Sequence, residues 1–547
     1  MPDADAIVIG SGSGGLVAAL ALARAGRRVI VFEQHYLPGG YSQSFTIEGF
    51  SFSPGIHYIG QLGPGGTLRR IYEGLGVAND LAFLELDPDG YDRLVIGEER
   101  FDIPKGRRNF AERLQARFPT EAAGIAGYMD TVARMVDEIQ WATPEGLGDA
   151  LRLPLRAPTL LRYGLLPLPR FLDHFTRDPL LRAILSIQAG DHGMAPAKAP
   201  TILHAALQDY YFEGGCYPHG GGHAIPNALI KQIEAHGGEV MLHTEVTRIL
   251  VEDGRAIGVR LADGREVRAN IVVSNADPQV TWGRLVEPEH VGPFLRHRIA
   301  HQRYSVSILS VFLGVDMDLR AAGLDSGNVW YSRTTDIDEC YRAAERSDLG
   351  SIGAIPGIFF SATTLKDPSL RSDGLHTIEA MALATPKAFS RWLGSTHGQR
   401  PADYARTKEA LADKILDAVE HVVPGLREHI VFRAIGSPLT NQHFVRASEG
   451  AIYGTEKTLR NLGPFAFPLR SHIRGLFQCG ASTLAAGING VSKSGLHAAA
   501  AALDCKPDEL LDAKGQTLRI YPSEDPGSWP ESMRPKPRAD PAAVAAK

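Results

Sequence analysis

The sequence predicts an α/β protein whose core domain is assembled from segments far apart in the chain, with a second domain inserted between them. Near the start, residues 6–10 and 29–33 are short, apolar and β-branched, and an alanine- and leucine-rich helix over 15–26 separates them. Near the other end, a similar strand at 475–480 precedes a helix of small residues at 490–503. We therefore predict that both blocks belong to one discontinuous domain.

The middle of the chain contains further elements of the same kind. An amphipathic helix is predicted over 224–236, and short strands follow it up to residue 274. Asp253-Gly254 and Asp263-Gly264 separate these strands, and an Asp-Gly pair is a strong signal for a β-hairpin turn. The long stretches 81–219 and 286–435 have mixed helical and strand patterns without a glycine fingerprint, which suits a substrate-covering domain.

A glycine-rich loop joins the first strand to the first helix. Its residues are Gly10, Gly12, Ser13, Gly14 and Gly15, with the spacing GxGxxG. Between a strand and a helix, these glycines allow a tight turn and let a pyrophosphate approach the backbone, while the helix N-terminus stabilises its charge. Glu33 ends the second strand, where it would accept hydrogen bonds from a ribose diol and repel a 2′-phosphate. The loop predicts a dinucleotide site that disfavours NADP.

Two features favour FAD over NAD at this site. Gly39-Gly40 follow Glu33 closely, and the late strand-and-helix block offers contacts to the far end of a longer cofactor. The other glycine clusters, at 63–66 and 220–222, lack the preceding strand that a pyridine-nucleotide loop requires. We therefore predict an external electron donor or acceptor instead of a second nucleotide domain.

Four blocks of the sequence carry a family resemblance. They are EQH…GG…F…GF…F…GIHYIG over 33–60, YPHGGG over 217–222, VVSNADP over 272–278, and GLFQCG…GINGV…SG over 475–495. Together they resemble retinol saturase and its bacterial relatives within the phytoene desaturase and carotenoid isomerase superfamily. One difference is Tyr41-Ser42, which stand where many relatives have an arginine after the double glycine.

The resemblance implies a glutathione-reductase-like FAD-binding Rossmann domain, discontinuous in sequence, with an inserted α+β domain for a lipid substrate. The FAD-binding domain would comprise 1–80, 220–285 and 436–511, and the substrate domain 81–219 and 286–435. Gln34 would belong to the cofactor site with Glu33, and the backbone of Val246 would meet the adenine. The residues placed beside the flavin ring are Gly480, Ile488, Asn489, Gly490 and Val491.

Three residues are candidates for catalysis. The family segment that holds His57 and Tyr58 runs toward the flavin, which suggests a proton donor or a substrate-positioning pair; packing in the core is the alternative for both. His219 borders the glycine loop at 220–222, and a structural role is the alternative there also. The sequence contains neither a histidine or carboxylate cluster at metal-ligand spacing nor a GxSxG nucleophile elbow, so we predict no metal site.

The amino-acid composition indicates which kinds of partner and which cellular compartment suit this chain. The formal net charge of −5 argues against nucleic acid, and four scattered cysteines without a CxxC pair suggest reduced thiols in a cytoplasmic protein. Residues 151–188 are rich in leucine, proline and arginine, which suggests peripheral contact with the inner face of a membrane; helices packed on the core are the alternative. From residue 512 the chain is polar and proline-rich, and we predict that the tail up to residue 547 is at least partly disordered.

We therefore expect an FAD-dependent oxidoreductase that saturates or desaturates carbon–carbon bonds of a polyene or acyl lipid, such as a retinoid, carotenoid or fatty acyl chain, by hydride transfer with the flavin. One alternative is a carotenoid-type cis–trans isomerase. Another is a lipid- or prenyl-binding protein without catalysis on the same fold. Amine oxidation is a weaker fourth option.

Overall fold

The computed structural model describes residues 2–141, 147–346 and 353–536. The strands are β1 (Ala6–Ile9), β2 (Val29–Phe32), β3 (Phe45–Ile47), β4 (Phe50–Phe52), β5 (Ala82–Glu85), β6 (Asp92–Ile96), β7 (Glu99–Ile103), β8 (Cys216–Pro218), β9 (Glu239–Met241), β10 (Val246–Glu252), β11 (Arg255–Leu261), β12 (Glu266–Arg268), β13 (Ile271–Ser274), β14 (Ser307–Val315), β15 (Asn328–Ser332), β16 (Gly357–Ser361), β17 (His376–Ala384), β18 (Ile430–Gly436), β19 (Leu476–Gln478) and β20 (Arg519–Pro522).

The α-helices are α1 (Ser13–Arg24), α2 (Thr67–Gly74), α3 (Arg107–Arg117), α4 (Ala122–Glu138), α5 (Leu147–Arg156), α6 (Pro158–Tyr163), α7 (Leu168–Leu172), α8 (Pro179–Ser186), α9 (Thr201–Tyr211), α10 (Ala224–Ala235), α11 (Pro278–Val280), α12 (Pro293–Ala300), α13 (Asp338–Ala344), α14 (Thr363–Lys366), α15 (Ala402–Val422), α16 (Pro438–Val445) and α17 (Gly487–Leu503). In the part of the chain that the structure describes, none of these helices combines the length and the apolar character needed to cross a membrane.

A five-stranded parallel sheet forms the centre of the first domain, in the order β19-β13-β1-β2-β9. Its strands are buried and mostly β-branched, as expected for a parallel sheet covered on both faces. The strands come from both ends and the middle of the chain, which confirms the prediction of a discontinuous α/β domain.

Helices α1 and α17 cross in close contact on one face of this sheet. A Cβ atom added at Gly495 would lie 2.0 Å from the carbonyl oxygen of Gly14, so only glycine allows the crossing. The two helices thereby bring the first loop of the chain beside the start of α17. On the other face, β10, β11 and β12 form an antiparallel sheet, and the predicted turn at Asp253-Gly254 joins β10 to β11.

A mixed seven-stranded sheet forms the second domain, in the order β18-β14-β17-β16-β15-β6-β7. On β14, side chains alternate between the two faces. Leu309, Val311 and Leu313 belong to the hydrophobic core that includes α15, whereas Ile308 and Phe312 line cavities toward the first domain. The sheet therefore supplies one wall of the space between the domains.

Residues 512–536 of the tail that we predict to be at least partly disordered are ordered, and residues 537–547 lie outside the described residues. Strand β20 pairs in parallel with β5, and β8 pairs with the other edge of β5. Trp529 is buried, and its indole N–H donates a 2.7 Å hydrogen bond to the carbonyl oxygen of Pro522. The few apolar residues of this polar segment are enough to fix it to the rest of the chain.

Candidate active site

The carboxylate of Glu33 organises the loop after β1. Its Oε2 atom accepts hydrogen bonds from the backbone N–H of Ser11 at 2.8 Å and from the Ser11 hydroxyl at 2.7 Å. Its Oε1 atom accepts one from the backbone N–H of His35 at 2.8 Å. Glu33 is buried, and these donors compensate for the desolvation of its charge. The acid at the end of β2 is thus tied to the loop that the sequence analysis assigned to a pyrophosphate.

The side chain of Asn275 packs against three glycines of the same region. A Cβ atom at Gly12 would lie 2.7 Å from Asn275 Nδ2, and one at Gly14 would lie 2.9 Å from Asn275 Oδ1. A Cβ atom at Gly480 would also be close, at 3.1 Å, and the φ angle of Gly480 is +97°. The glycines therefore form a cradle of bare backbone at the start of α1.

This cradle opens into a cleft of about 320 Å³ between the domains, named here the cofactor cleft. The predicted cofactor residues that line it are Gly10, Gly12, Ser13, Gly14, Glu33, Gln34, Gly39, Gly40, Val246, Gly480, Ile488 and Val491. Three others lie behind its wall among the described residues. A Cβ atom at Gly15 would lie 2.2 Å from the Gly10 carbonyl oxygen, and Gly490 packs against Ala485, so both shape the wall without facing the cleft.

Asn489 is the third predicted residue behind the wall. Its Oδ1 atom is buried and has no hydrogen-bond partner among the described residues. Asn489 does not appear among the described residues that line the cleft, so this oxygen is not assigned to the cofactor. The bare-backbone cradle and the buried acid fit an extended dinucleotide such as FAD.

Two further cavities open from the cofactor cleft. The inner chamber, of about 100 Å³, shares His57, Ile308 and Tyr453 with the cleft and extends to Trp330 and Phe359. Its walls are mainly aromatic and aliphatic.

The basic chamber is larger, at about 470 Å³, and shares Tyr41, Pro54 and Ile308 with the cleft. It extends to Arg400 and Lys408 beside helix α15. Ile308 lines all three spaces, so the cleft and the two chambers adjoin one another at this side chain.

His57 faces both the cleft and the inner chamber. Burial and the nearby charge of Lys366 lower the pKa of His57 to about 3, so its imidazole is neutral at physiological pH. Its Nδ1 atom lies 3.7 Å from Glu379 Oε2, beyond hydrogen-bond distance. The other oxygen of Glu379 accepts a 2.6 Å hydrogen bond from the backbone N–H of Ser53. His57 is therefore not an imidazolium acid in this state.

Tyr58 points away from the cavity, into a buried polar cluster. Its hydroxyl lies 2.5 Å from Asp191 Oδ2 and 3.0 Å from Asp92 Oδ2, and its ring stacks on Tyr211 at 4.3 Å. Among the described residues that line the cleft and chambers, Tyr58 does not appear, whereas Asp191 lines the inner chamber. The two predicted residues therefore do not act as a pair. His57 faces the cavity, whereas Tyr58 contacts Asp191, and it is Asp191 that faces the inner chamber.

The prediction that His219 is catalytic is not supported by its position. Its Nε2 atom lies within hydrogen-bond distance of the Met533 carbonyl oxygen and the Ser369 hydroxyl, and its ring packs edge-on against Trp529. In the described part of the chain, His219 lines neither the cleft nor either chamber. It instead anchors the carboxy-terminal segment.

Sequence reasoning missed Asn275 and the buried cluster around Tyr58. Asn275 stands in the VVSNADP block, so the family resemblance contained a signal for it. Asp191, Lys366 and Glu379 come from separate elements, and no local motif marks them. The described residues also include one group with metal-ligand spacing, Glu287, Glu289 and His290; it lies at the surface, where Glu287 pairs with Arg248.

The fold and the cleft define an FAD-binding oxidoreductase. The sequence model of the family described as flavin containing amine oxidoreductase matches residues 13–503, and the chain belongs to this family. All-trans-retinol 13,14-reductase of Danio rerio is 33% identical over 479 residues, which cover 83% of this chain and 78% of that protein. Prolycopene isomerase 1 of an Oncidium hybrid cultivar is 28% identical over 526 residues, which cover 93% and 86%. The predicted retinol saturase-like branch is confirmed.

Solved structures agree on the fold. Cyclohexylamine oxidase from Brevibacterium oxydans aligns with a TM-score of 0.60 at 18% identity, over 93% of this chain and all of that chain (100%). An oxidoreductase from Methanosarcina mazei aligns with a TM-score of 0.60 at 17% identity, over 90% and 99%. The protein is an FAD-dependent enzyme, as the double glycine, the late strand-and-helix block and the family resemblance predicted.

Proposed function

We propose that this enzyme saturates a carbon–carbon double bond of a polyene lipid of the retinoid or carotenoid kind. The observation that carries the proposal is the row of three adjoining spaces, because an inner chamber, a cofactor cleft and a basic chamber all border Ile308. A long, thin apolar molecule fits such a path better than a compact polar one. The similarity to a retinol 13,14-reductase supports the same reaction class.

The residues that line the cofactor cleft would hold FAD, with Glu33 near a ribose and the Gly10–Gly15 loop at the pyrophosphate. Behind the wall, Gly15 and Gly490 would keep the helices close, and Asn489 would belong to the start of α17 that backs the flavin side of the site. When bound, the reduced flavin supplies the hydride. The neutral imidazole of His57 would position the polyene and exclude water at the junction of cleft and inner chamber.

The basic chamber would take the polar end of the substrate. Arg400 donates hydrogen bonds to the Tyr404 hydroxyl at 2.9 Å and to the Leu439 carbonyl oxygen at 3.2 Å, and Lys408 donates to the Ile435 carbonyl oxygen at 3.0 Å. Among the described residues, neither cation has a carboxylate partner, and the chamber lining contains no Asp or Glu. An amphiphile that ends in a carboxylate or hydroxyl would complement this charge.

We also propose that helices α5 and α6 contact a lipid surface. Leu155, Leu161 and Leu165 are 85%, 46% and 58% exposed, and Trp141 nearby is 38% exposed with Arg156 over its ring at 4.5 Å. Exposed leucines beside arginines and a tryptophan are typical of interfacial segments. Two other arginines of the predicted basic stretch, Arg177 and Arg182, instead pair with Asp173. The proposed contact is therefore confined to Trp141 and residues 152–165.

The test is an anaerobic reaction of the purified, FAD-loaded protein after chemical reduction of its flavin. All-trans-retinol and prolycopene are offered in detergent micelles, and products are analysed by mass. Saturation predicts a product with two more hydrogen atoms and reoxidised flavin absorbance. A product of unchanged mass with the flavin still reduced would establish the isomerase alternative, which the similarity to a prolycopene isomerase supports. If neither polyene is converted, both the saturation proposal and the isomerase alternative are wrong.

A matched pair of variants ties the reaction to the cavity. Ile308→Trp fills the junction of the three spaces, so we expect normal FAD content and loss of conversion. Val431→Trp introduces the same indole at a side chain that is 52% exposed on β18, and this variant should convert substrate normally. Normal conversion by Ile308→Trp would argue that the substrate does not use this path.

A further inference from the structure

Asp191 places a carboxyl group on the wall of the inner chamber. It lies in the single-turn segment Ile187–His192, and the chamber around it is formed largely by rings, including those of Trp330, Phe359 and Tyr453. A carboxylate in such surroundings has lost most of its hydration, which disfavours the charged form. The protonation state of Asp191 therefore depends on the few polar groups within its reach.

The Tyr58 hydroxyl determines the protonation state of Asp191. This hydroxyl carries one proton, yet its oxygen lies within hydrogen-bond distance of two carboxyl groups, 2.5 Å from Asp191 Oδ2 and 3.0 Å from Asp92 Oδ2. The single hydroxyl proton of Tyr58 can form a strong hydrogen bond to only one of these two carboxyl groups. A second short contact is favourable only if one of the acids brings a proton of its own. The geometry thus requires a protonated carboxyl group on one side of Tyr58.

Asp92 is the acid that stays ionised. Its two oxygens accept hydrogen bonds from the Asn328 amide at 2.9 Å and the Gln188 amide at 2.8 Å, in addition to the contact with Tyr58. Among the described residues, Asp191 has only the Tyr58 hydroxyl as a hydrogen-bond partner. Burial raises the pKa of both acids, to about 6 for Asp92 and well above the ordinary value for Asp191, which the charge of Asp92 raises further. The extra proton belongs to Asp191.

We propose that Asp191 is a neutral carboxylic acid held in place by Tyr58, and that it donates the proton that completes saturation of the double bond. The inference rests on the proposed function. Asp191 is the catalytic acid in this scheme, because it lines the inner chamber that would take the substrate, and Tyr58 is a positioning residue that acts through it. Both roles follow from the opposite orientations of Tyr58 and His57 in adjacent positions of the chain.

The step balances with one hydride and one proton. The hydride, with its electron pair, comes from the reduced flavin and forms a C–H bond as the π bond breaks. The carbon left with the negative charge, or a carbon conjugated with it, takes the proton as the O–H bond of Asp191 breaks. The Tyr58 hydroxyl then donates to the new carboxylate until a solvent proton replaces the one used. An external two-electron donor restores the reduced flavin for the next turnover.

The test compares the holoenzyme with Asp191→Asn, which keeps the size and an acceptor for Tyr58 but cannot donate a proton to carbon. Infrared spectra of the oxidised, FAD-loaded proteins at neutral pH report a protonated carboxyl group by its carbonyl stretch, which shifts in heavy water. We expect the wild type to show a band that Asp191→Asn lacks. Identical bands would overturn the inference without any reference to activity.

Turnover gives the second readout. Asp191→Asn should bind polyene about as well as the wild type, because no contact on the hydrocarbon is lost, while its saturation rate falls by roughly 10²- to 10⁴-fold, the usual contribution of a general acid. The control Asp336→Asn changes an exposed acid that pairs with Arg342, and it should leave both polyene binding and the saturation rate unchanged. Saturation by Asp191→Asn at the wild-type rate would reject Asp191 as the donor while leaving the proposed function standing.

Two remaining outcomes are also decisive. If the wild type converts no polyene, the proposed function fails and the inference about proton donation fails with it, and the infrared band still distinguishes a neutral from an ionised Asp191. If Asp191→Asn does not load FAD, Tyr58→Phe removes only the hydroxyl next to the intact acid. Its carboxyl band should then move to the position of a less hydrogen-bonded acid, and an unmoved band would refute the role of Tyr58.

Discussion

Lys366 donates a 2.5 Å hydrogen bond from its ammonium group to the backbone carbonyl oxygen of His57. Lys366 ends helix α14 in the second domain, whereas His57 belongs to the first part of the chain, so the bond joins two distant segments at the active site. Burial lowers the pKa of Lys366 to about 7, although the charges of Asp92 and Glu379 oppose this shift. The proton on Lys366 is therefore held loosely.

Lys366→Met should change how stability depends on pH. The folded pKa of about 7 lies below the ordinary lysine value of 10.5, so between these values the unfolded chain binds more protons and the wild type gains stability as pH rises. The Met variant lacks this gain. Urea unfolding across that pH range should show the wild type becoming more stable relative to the variant with rising pH. Lys506→Met, at an exposed site, should show a constant difference; the same constancy for Lys366→Met would mean that its pKa is not lowered.

Glu33→Ala should lower the FAD content of the purified protein. The change removes three hydrogen bonds to a carboxylate, each worth roughly 1.5–3 kcal/mol when the charge is desolvated, and releases the loop at Ser11. FAD per chain is measured by absorbance after gel filtration, with circular dichroism to check folding. Glu239→Ala removes an exposed acid of β9 as the control. A folded Glu33→Ala protein with full FAD content would exclude Glu33 from the cofactor site.

Replacing Leu155 and Leu165 by Asp should weaken binding to vesicles of anionic phospholipid by at least about tenfold, because each buried leucine contributes roughly 1.5–3 kcal/mol. The measurement is co-sedimentation of the FAD-loaded protein. Leu393 and Leu459, which are 51% and 45% exposed outside these helices, serve as the control pair for the same changes. Equal binding by both double variants, or none by the wild type, would argue against the proposed contact.

Lys408→Met should discriminate between polyenes by their end groups. Loss of one cation from the basic chamber is expected to weaken binding of a polyene carboxylic acid by about tenfold and to leave a hydrocarbon polyene unaffected. Quenching of protein fluorescence by each polyene, with the flavin oxidised, measures the two affinities. Lys387→Met provides a control outside the chamber. Similar losses for acid and hydrocarbon would mean that Lys408 packs against the chain and does not recognise its end.

The sequence correctly predicted those elements whose conformation depends on residues close together in the chain. The strands, the GxGxxG loop and the turn at Asp253-Gly254 all obey rules of short range, and the structure confirms them. The lining of the cofactor cleft followed from the same loop together with the family blocks.

The buried cluster could not be predicted in this way. Asp191, Lys366 and Glu379 lie on a turn, a helix and a strand that are far apart in the chain, and a buried charge is stable only through partners that the fold brings to it. His219 was a catalytic candidate because it borders a glycine loop. Its actual contacts are with Met533 and Trp529, which lie more than 300 residues later in the chain. Composition did not predict the order of residues 512–536, because Leu518, Trp529 and Met533 are few in number but bury enough apolar surface to fix the segment.

The pairing of β20 with β5 has a consequence for the order of events during synthesis. Strand β5 is translated long before its partner Arg519–Pro522. Until that partner emerges, one edge of β5 presents unpaired backbone groups to any strand in the neighbourhood. The nascent protein is thus exposed to wrong pairing and aggregation at this edge for as long as β20 is missing.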